Sequence, residues 1–407
     1  MIGLALEGGG AKGAFHLGAI KALYEEGWVF DGVVGTSIGA FNAAMIAQGD
    51  FEKAYRFWEG TSMSDIFDLE ESQIKKILNK PLDRENRTVL VSMIRDIIEN
   101  RGVDTAKIKA MLEENVDEAK LRRTSVDYGL VTVSLTDLKP MELYKEEIPA
   151  GLLDSYIMAS ANIPIFRLEP VEGKLYVDGG FYDNCPINML IRKGYDRIVA
   201  VRTLGIGLNR RIEDPTVEVI NVFPSEDLGR VLYFDQDQIQ RNLKMGYFDT
   251  LRVLKGYKGE KYYVTDAPDG EQAFRLFSEM KEEDIRHVNE ALNVKGKAGR
   301  RCLFERTLPK LAELLSVPAE ADYDVLLIRL MEQLAEDTGV DRLMLYRLEE
   351  LIDLVKQELQ VKERARHEVK RTPKKIISEK MNAVMLKFSR EQSLKVAVNR
   401  LFRALEI

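Results

Sequence analysis

The residues whose types and spacing point to chemistry lie in the first forty positions. Residues 2–13 read IGLALEGGGAKG, and residues 32–40 read GVVGTSIGA. In each, an apolar run ends in a glycine turn and a helical pattern follows. The second turn centres Ser37 in G-x-S-x-G. A serine on a sharp strand-to-helix turn projects its hydroxyl clear of the backbone, and the flanking glycines leave room for a substrate. The first turn offers backbone N–H groups with no side chains in the way, which is what an oxyanion requires. Ser37 is therefore the candidate nucleophile. Gly8, Gly9, Gly10, Lys12 and Gly13 form the candidate oxyanion hole. The chemistry they suggest together is acyl transfer to serine.

The first turn has a competing reading. Gly8, Gly10 and Gly13 also fit the dinucleotide pattern G-x-G-x-x-G, which wants an acidic residue at the end of the second strand. Asp31 is near the required distance but precedes that strand, and Gly35–Thr36–Ser37 occupies its end. A Walker sequence is absent, because Lys12 is followed by Gly13. A purely structural turn is the third reading. The nearby G-x-S-x-G favours the oxyanion hole.

A serine nucleophile needs a base, and histidine is the usual one. The chain has three. His16 falls in the first helical pattern, where a core or surface role is expected. His287 and His367 sit in the charged helical stretches RHVNE and ARHEV. A carboxylate is the alternative. Asp178 follows the apolar run LYV and opens a Gly-Gly turn, which would aim it into a site at a strand end. An ordinary turn aspartate reads the same way, and Asp183 is the rival carboxylate.

The elements that must position these residues follow a strand–turn–helix rhythm. Residues 2–6 read as a buried strand, Ala14–Glu26 as a helix, Val33–Gly35 as a strand and Ala40–Gln48 as a helix. This predicts a parallel α/β sheet. Residues 51–120 look helical and amphipathic, an inserted layer or lid. Strand patterns return at Tyr128–Leu135, Met141–Tyr144, Leu175–Val177 and Arg197–Arg202. Val217–Val222 and Tyr262–Val264 are expected to complete the sheet. Helical patterns cover Leu152–Ser160 and Ile187–Arg192. Beyond about Gly270 only helical periodicity is seen. The expected division is 1–270 for an acyl hydrolase domain and 271–407 for an α-helical region.

At 407 residues, two domains are the default. Cys185 and Cys302 are the two cysteines, without metal-ligand spacing, so neither a disulfide framework nor a zinc site is expected. MIGLAL lacks a basic n-region and runs into Glu7, and no apolar run approaches membrane-spanning length, so a cytoplasmic protein is expected. The net charge of −7 is uneven: residues 361–407 carry 13 Lys and Arg against 5 Asp and Glu. Apolar residues at Ile376–Ile377, Met381, Val384–Met385 and Phe388, then Leu394, Val396–Val398, Leu401 and Phe402, recur at helical spacing among these cations. Such a basic amphipathic tail either lies on an anionic membrane surface or packs on its own protein or a second subunit as a homodimer contact.

Three blocks, GGGAKGAFHLGAIKALYEEG, GTSIGA and ASANIPIFRLEPVEGKLYVDGGFYDNCPI, resemble in content and order the patatin-like phospholipases of bacterial type, over about residues 1–200. The resemblance implies a three-layer α/β/α sandwich and a Ser–Asp dyad without histidine. Ser37 would be the nucleophile, Asp178 the base, and Gly8–Gly10 with their neighbours the oxyanion hole. The family often has arginine where Lys12 stands. The charge is kept, but the planar fork is not.

The expectation is thus a serine acyl hydrolase of the phospholipase A or lysophospholipase kind. It would cleave phospholipid or other acyl-ester lipids, with no metal or organic cofactor, no nucleic acid partner, and peripheral contact with membranes. Two alternatives stand beside it. One is a Ser–Asp–His α/β-hydrolase esterase using His287; the other is a gated or inactive lipid-binding regulatory protein.

Overall fold

The computed structural model describes residues 1–67, 103–369 and 390–405. The chain divides into two compact units, Met1–Leu254 and Lys255–Ile407.

The first unit is built on a seven-stranded mixed sheet. The strands are β1 (Ile2–Leu6), β2 (Gly32–Thr36), β3 (Asp127–Ser134), β4 (Lys139–Tyr144), β5 (Tyr176–Asp178), β6 (Arg197–Val201) and β7 (Glu218–Val222). Their order is β4-β3-β2-β1-β6-β7, with β5 paired to β3. The strands β3, β2, β1, β6 and β7 run parallel, while β4 and β5 are antiparallel to β3. The parallel strands are nearly continuous apolar runs because helices cover both faces. On one face, Ala5, Val34, Val131, Ile198 and Ala200 pack with Met189, Leu190 and Tyr195. Leu4 and Leu6 alternate to the other face, where helices α1 (Ala14–Glu25) and α2 (Ile38–Ala47) follow the two glycine turns. This is the expected α/β sandwich with helices on either side of a central sheet.

Two features of the topology place the site. The chain order reverses at β1, which lies between β2 and β6. In open α/β sheets, ligands bind outside the carboxyl ends of the strands at such a switch point. A cavity of about 380 Å³, lined by Tyr24, Trp28, Phe30, Val33, Ile46 and Val126, lies instead by the amino end of β2. The second feature is register. Along β3, Val131 pairs with Thr36 at the end of β2, and the next residue, Thr132, pairs with Asp178 at the end of β5. One strand thereby holds the end of the Ser37 turn and Asp178 at successive positions.

Between β2 and β3, the helices Phe51–Gly60, Met63–Ile66 and Ala106–Asn115 occupy the described parts of the expected helical insertion. Residues 68–102 of it lie outside the described residues.

The second unit is largely helical. Helices Gly270–Ser278, Glu282–Leu292, Leu308–Leu314, Tyr323–Thr338, Leu348–Val369 and Arg390–Ala404 surround a core that includes Phe277, Leu311, Leu327, Leu334, Leu351 and Leu401. One expectation is corrected here. Tyr262–Val264 does not complete the large sheet. Strand β8 (Tyr263–Thr265) pairs in parallel with β9 (Leu345–Arg347) in a small sheet of its own. β9 itself hides in the Leu-rich sequence MLYRLEE, where three residues are too few to interrupt a helical pattern. The later half of the basic tail follows the expected alternative of packing on its own protein. Ala397, Val398, Leu401 and Phe402 are buried in the helical core of this unit, so the apolar stripe of that helix already has a protein partner. The earlier half, Ile376 to Phe388, lies outside the described residues. No helix among the described residues is long and apolar enough to cross a membrane.

Candidate active site

Ser37 sits between the last residue of β2 and the first of α2 with φ 58° and ψ −128°. This backbone conformation is strained for any residue with a Cβ. It is held because Gly35 and Gly39 allow a very tight approach: a Cβ on Gly35 would lie 2.2 Å from the Gly39 carbonyl oxygen, and one on Gly39 would lie 2.2 Å from that of Leu6. The Ser37 amide donates to Ser160 Oγ at 2.9 Å, and Ser160 Oγ donates to the Val131 carbonyl at 2.6 Å. The turn is therefore pinned from the α2 side and from β3.

Asp178 is buried, and the Ser37 hydroxyl lies near enough to its carboxylate to favour the ionised form. The Gly180 amide donates to its Oδ1 at 2.7 Å. Burial raises its pKa to about 6, and the neighbouring Ser37 hydroxyl and Gly180 amide hold it from going higher. Asp183 is buried as well and is raised by burial to about 7. Its Oδ1 accepts from the amides of Cys185 and Arg210, and its backbone carbonyl accepts from Thr36 Oγ1. These contacts fasten the 183–185 turn to the end of β2, and none of them is with Ser37.

The first glycine turn lies directly beside Ser37. A Cβ on Gly8 would approach Ser37 Cβ to 3.2 Å and Asn184 Oδ1 to 2.4 Å. The amides of this turn differ in what they face. Gly8 N–H donates to the Asn184 carbonyl, Ala11 N–H to that of Val231, and Lys12 N–H to that of Gly9. Among the described contacts, Gly9 and Gly10 N–H have no such acceptor. Gly10 takes φ 56°, and a Cβ there would meet the Val231 carbonyl at 2.1 Å. Gly13 packs against Ile38, Trp58 and Asn42. The Lys12 ammonium is 3.5 Å from the Leu204 carbonyl and 3.9 Å from Asp227. A valine at Gly9 would collide with Thr203 Oγ1, which lies 2.6 Å from the Cβ position. Gly9→Val is therefore expected to turn the local amides and to reduce kcat by about 10²–10³-fold, the cost of one lost oxyanion donor. The check is kcat measured beside a melting curve.

Reasoning from the sequence missed the residues that hold this turn. Glu7 is fully buried at the end of β1. It accepts from the amides of Thr203 and Leu204 at 2.7 and 2.9 Å, from Asn209 Nδ2 at 3.0 Å and from Arg202 at 3.1 Å. Thr203 Oγ1 donates to the Gly8 carbonyl at 2.6 Å, and Asn184 Nδ2 approaches the same oxygen at 3.3 Å. The Gly8 carbonyl is thus drawn away, which leaves the next amides facing the other way. A carboxylate directly after a buried strand was the available signal for Glu7. Ser160 and Asn184 lie in the third of the quoted blocks without a role read from it, and nothing in the sequence marked Thr203. Glu7→Ala leaves Arg202 without its buried partner and two amides without acceptors. A loss of about 3–5 kcal/mol is expected, read as a lowered denaturation midpoint with an unchanged slope.

The histidines fall as follows. His16 is buried in α1, and its Nδ1 accepts from Asn42 Nδ2 at 3.1 Å. Burial lowers its pKa to about 3, so it is a neutral core histidine. His287 belongs to the second unit, and the side chain of His367 lies outside the described residues.

Residues 4–191 match the family model described as patatin-like phospholipase. The lysophospholipase NTE1 of Mycosarcoma maydis is 28% identical over 207 residues, which are 49% of this chain and 9% of that protein. The human patatin-like phospholipase domain-containing protein 6 is likewise 28% identical over 207 residues, 13% of its length. An uncharacterized NTE family protein of Mycobacterium bovis is 28% identical over 206 residues, 50% of this chain and 49% of that protein. The chain thus spans about half of the last relative and a small part of the other two. Among solved structures, VipD of Legionella pneumophila aligns at 15% identity with a TM-score of 0.38, over 99% of this chain and 90% of that one. The Ser37 turn, the glycine turn and the Asp178 turn all lie inside residues 4–191, the span that matches a patatin-like phospholipase domain.

Proposed function

We propose that this protein is a serine acyl hydrolase that cleaves fatty-acyl esters of phospholipids or lysophospholipids through Ser37 and Asp178. The observation that carries the reading is the strained Ser37 turn, with β3 holding the end of that turn and the buried Asp178 at successive positions. The names of the relatives, lysophospholipase and patatin-like phospholipase, support the substrate class.

Ser37 Oγ attacks the ester carbonyl carbon while Asp178 takes the hydroxyl proton. The carbonyl oxygen becomes an oxyanion, held by the amides of Gly9 and Gly10. When the tetrahedral intermediate collapses, the C–O bond to the alcohol breaks, and Asp178 returns the proton to the leaving alkoxide. An acyl-enzyme and a free alcohol result. Asp178 then takes a proton from water, which attacks the acyl carbon. Collapse breaks the bond to Ser37 Oγ, which recovers the proton and releases the fatty acid.

Only the ionised carboxylate can accept the proton, and its pKa is raised from the ordinary carboxylate range to about 6. The rate of labelling by a fluorophosphonate probe is therefore expected to rise with pH through an apparent pKa near 6 and to level off above it. A flat profile between pH 5 and 8, or labelling that persists in Ser37→Ala, would remove Asp178 or Ser37 from the scheme.

A further inference from the structure

The segment after β6 reads Thr203–Leu–Gly–Ile–Gly–Leu–Asn–Arg–Arg211, and its alternation is inverted for a loop on a protein surface. Thr203 is buried. Leu204, Ile206 and Leu208 point out, with relative exposures of 56%, 61% and 63%. The glycines between them face inward onto the site. A Cβ on Gly205 would lie 2.2 Å from the Gly8 carbonyl oxygen, and one on Gly207 would lie 2.6 Å from Asn184 Cγ. Inward positions that must be small and outward positions that are large and apolar are the opposite of what solvent selects.

The segment is also held tightly. Glu7 fixes the amides of Thr203 and Leu204 and the side chain of Asn209. Leu208 N–H donates to the Gly180 carbonyl, and Asn184 N–H donates to that of Leu208. Leu204 takes φ 51°, a left-handed conformation rare for a bulky residue. Such strain persists only where the surroundings over-determine it. Here it holds an apolar side chain in solvent beside the Gly8–Gly10 turn. Phe181, three residues after Asp178, and Phe223, directly after β7, are also partly exposed at this carboxyl edge of the sheet. Elsewhere among the described residues of the same unit, Met1, Val29, Leu138 and Val253 are the exposed large apolar residues, and they are scattered. Isolated exposed apolar residues are normal, while a cluster at the mouth of a site marks a contact surface.

We propose that residues 203–211 are the surface through which this domain seats on an anionic phospholipid aggregate. Leu204, Ile206 and Leu208 enter the boundary between acyl chains and head groups, and the exposed Arg210 and Arg211 meet lipid phosphates. The charge order supports a lipid rather than a protein occupant: an apolar triplet followed, past Asn209, by two arginines matches an interface whose apolar interior lies under an anionic rim. Arg210 is oriented by stacking on Tyr182, 4.5 Å from the ring centroid. Its backbone amide is fixed by Asp183. Because Gly205 lies against Gly8, a lipid surface touching this loop presents its ester groups next to Ser37. The proposal rests on the reading of Ser37 as a lipid hydrolase nucleophile for its purpose, but its test does not need turnover.

The test uses the full chain carrying Ser37→Ala, so that vesicles stay intact. The probe is sucrose-loaded vesicles of phosphatidylcholine with phosphatidylglycerol. Adding Leu204→Ser, Ile206→Ser and Leu208→Ser together is expected to weaken co-sedimentation about tenfold or more. Arg210→Gln with Arg211→Gln is expected to weaken it less, and to reduce its salt dependence. Independently, the indole fluorescence of an Ile206→Trp variant is expected to shift to the blue on vesicles and to be quenched by lipids brominated on the acyl chain. This measurement decides the matter even if the triple variant folds poorly. Vesicle binding untouched by the triple variant, or indole fluorescence of Ile206→Trp blind to brominated lipid, overturns the proposal and leaves the patch to a protein partner or a second copy. Failure of the hydrolase reading shows differently: wild type would ignore a fluorophosphonate while the vesicle measurements stand.

Discussion

Ser37→Ala is expected to leave a folded protein whose ester hydrolysis is lower by roughly 10⁴–10⁶-fold, the scale on which removing a serine nucleophile acts. Fluorophosphonate labelling disappears with it. The fold is expected to survive because the turn is held by backbone packing at Gly35 and Gly39 and by the Ser160 hydrogen bond to the Ser37 amide. None of these needs the hydroxyl. The backbone also makes a sharper forecast. At φ 58° a glycine is relaxed, whereas alanine keeps the strain of the serine. Ser37→Gly is therefore expected to be as inactive as Ser37→Ala but more stable, by about 1 kcal/mol. Equal melting temperatures for the two variants would mean that the turn is not strained in solution. Residual turnover above a few per cent in either would point to another nucleophile.

Asp178→Asn is expected to cost nearly as much, about 10³–10⁴-fold in kcat, because an amide cannot take the serine proton. Its folding consequence has the opposite sign. Burial penalises the carboxylate and raises its pKa to about 6. The folded state therefore holds this proton more firmly than the unfolded chain does. The contribution of Asp178 to stability is fully present below the ordinary carboxylate pKa and is lost as pH rises through 6. A neutral asparagine escapes that loss, so at pH 8 Asp178→Asn should melt no lower than wild type while being catalytically dead. Its pH–stability profile between 4 and 7 should be flatter. The double variant Ser37→Ala/Asp178→Asn is expected to be no slower than Ser37→Ala alone, since the two residues act as a unit. His287→Gln is the control that separates the dyad from a triad. Retained activity supports Asp178 as the base, and a folded but inactive His287→Gln would transfer that role to histidine.

Much of this was readable in the linear chain because the relevant interactions are local. Glycine at 35 and 39 around Ser37 is a steric requirement of one turn, and the apolar runs at 2–6, 32–36 and 197–201 announce buried parallel strands at their own positions. Asp178 at the end of a short strand was legible as a candidate for the same reason. That Asp178, not Asp183, faces Ser37 was not. It follows from the pairing of β3 with β2 up to Thr36 and with β5 from Asp178 on, a register between segments far apart in sequence. The partner of β8 was illegible on similar grounds, since a three-residue strand carries too little pattern to name its neighbour. The roles of Glu7, Asn184 and Thr203 arose only when the switch point between β1 and β6 set residues 7–10 against 203–209. The apolar stripe at Ala397–Phe402 shows the same limit from the other side. Periodicity determined that this helix has an apolar face, and only the packed helices of the second unit decided what covers it, because burial depends on which surfaces meet and not on the spacing within either one.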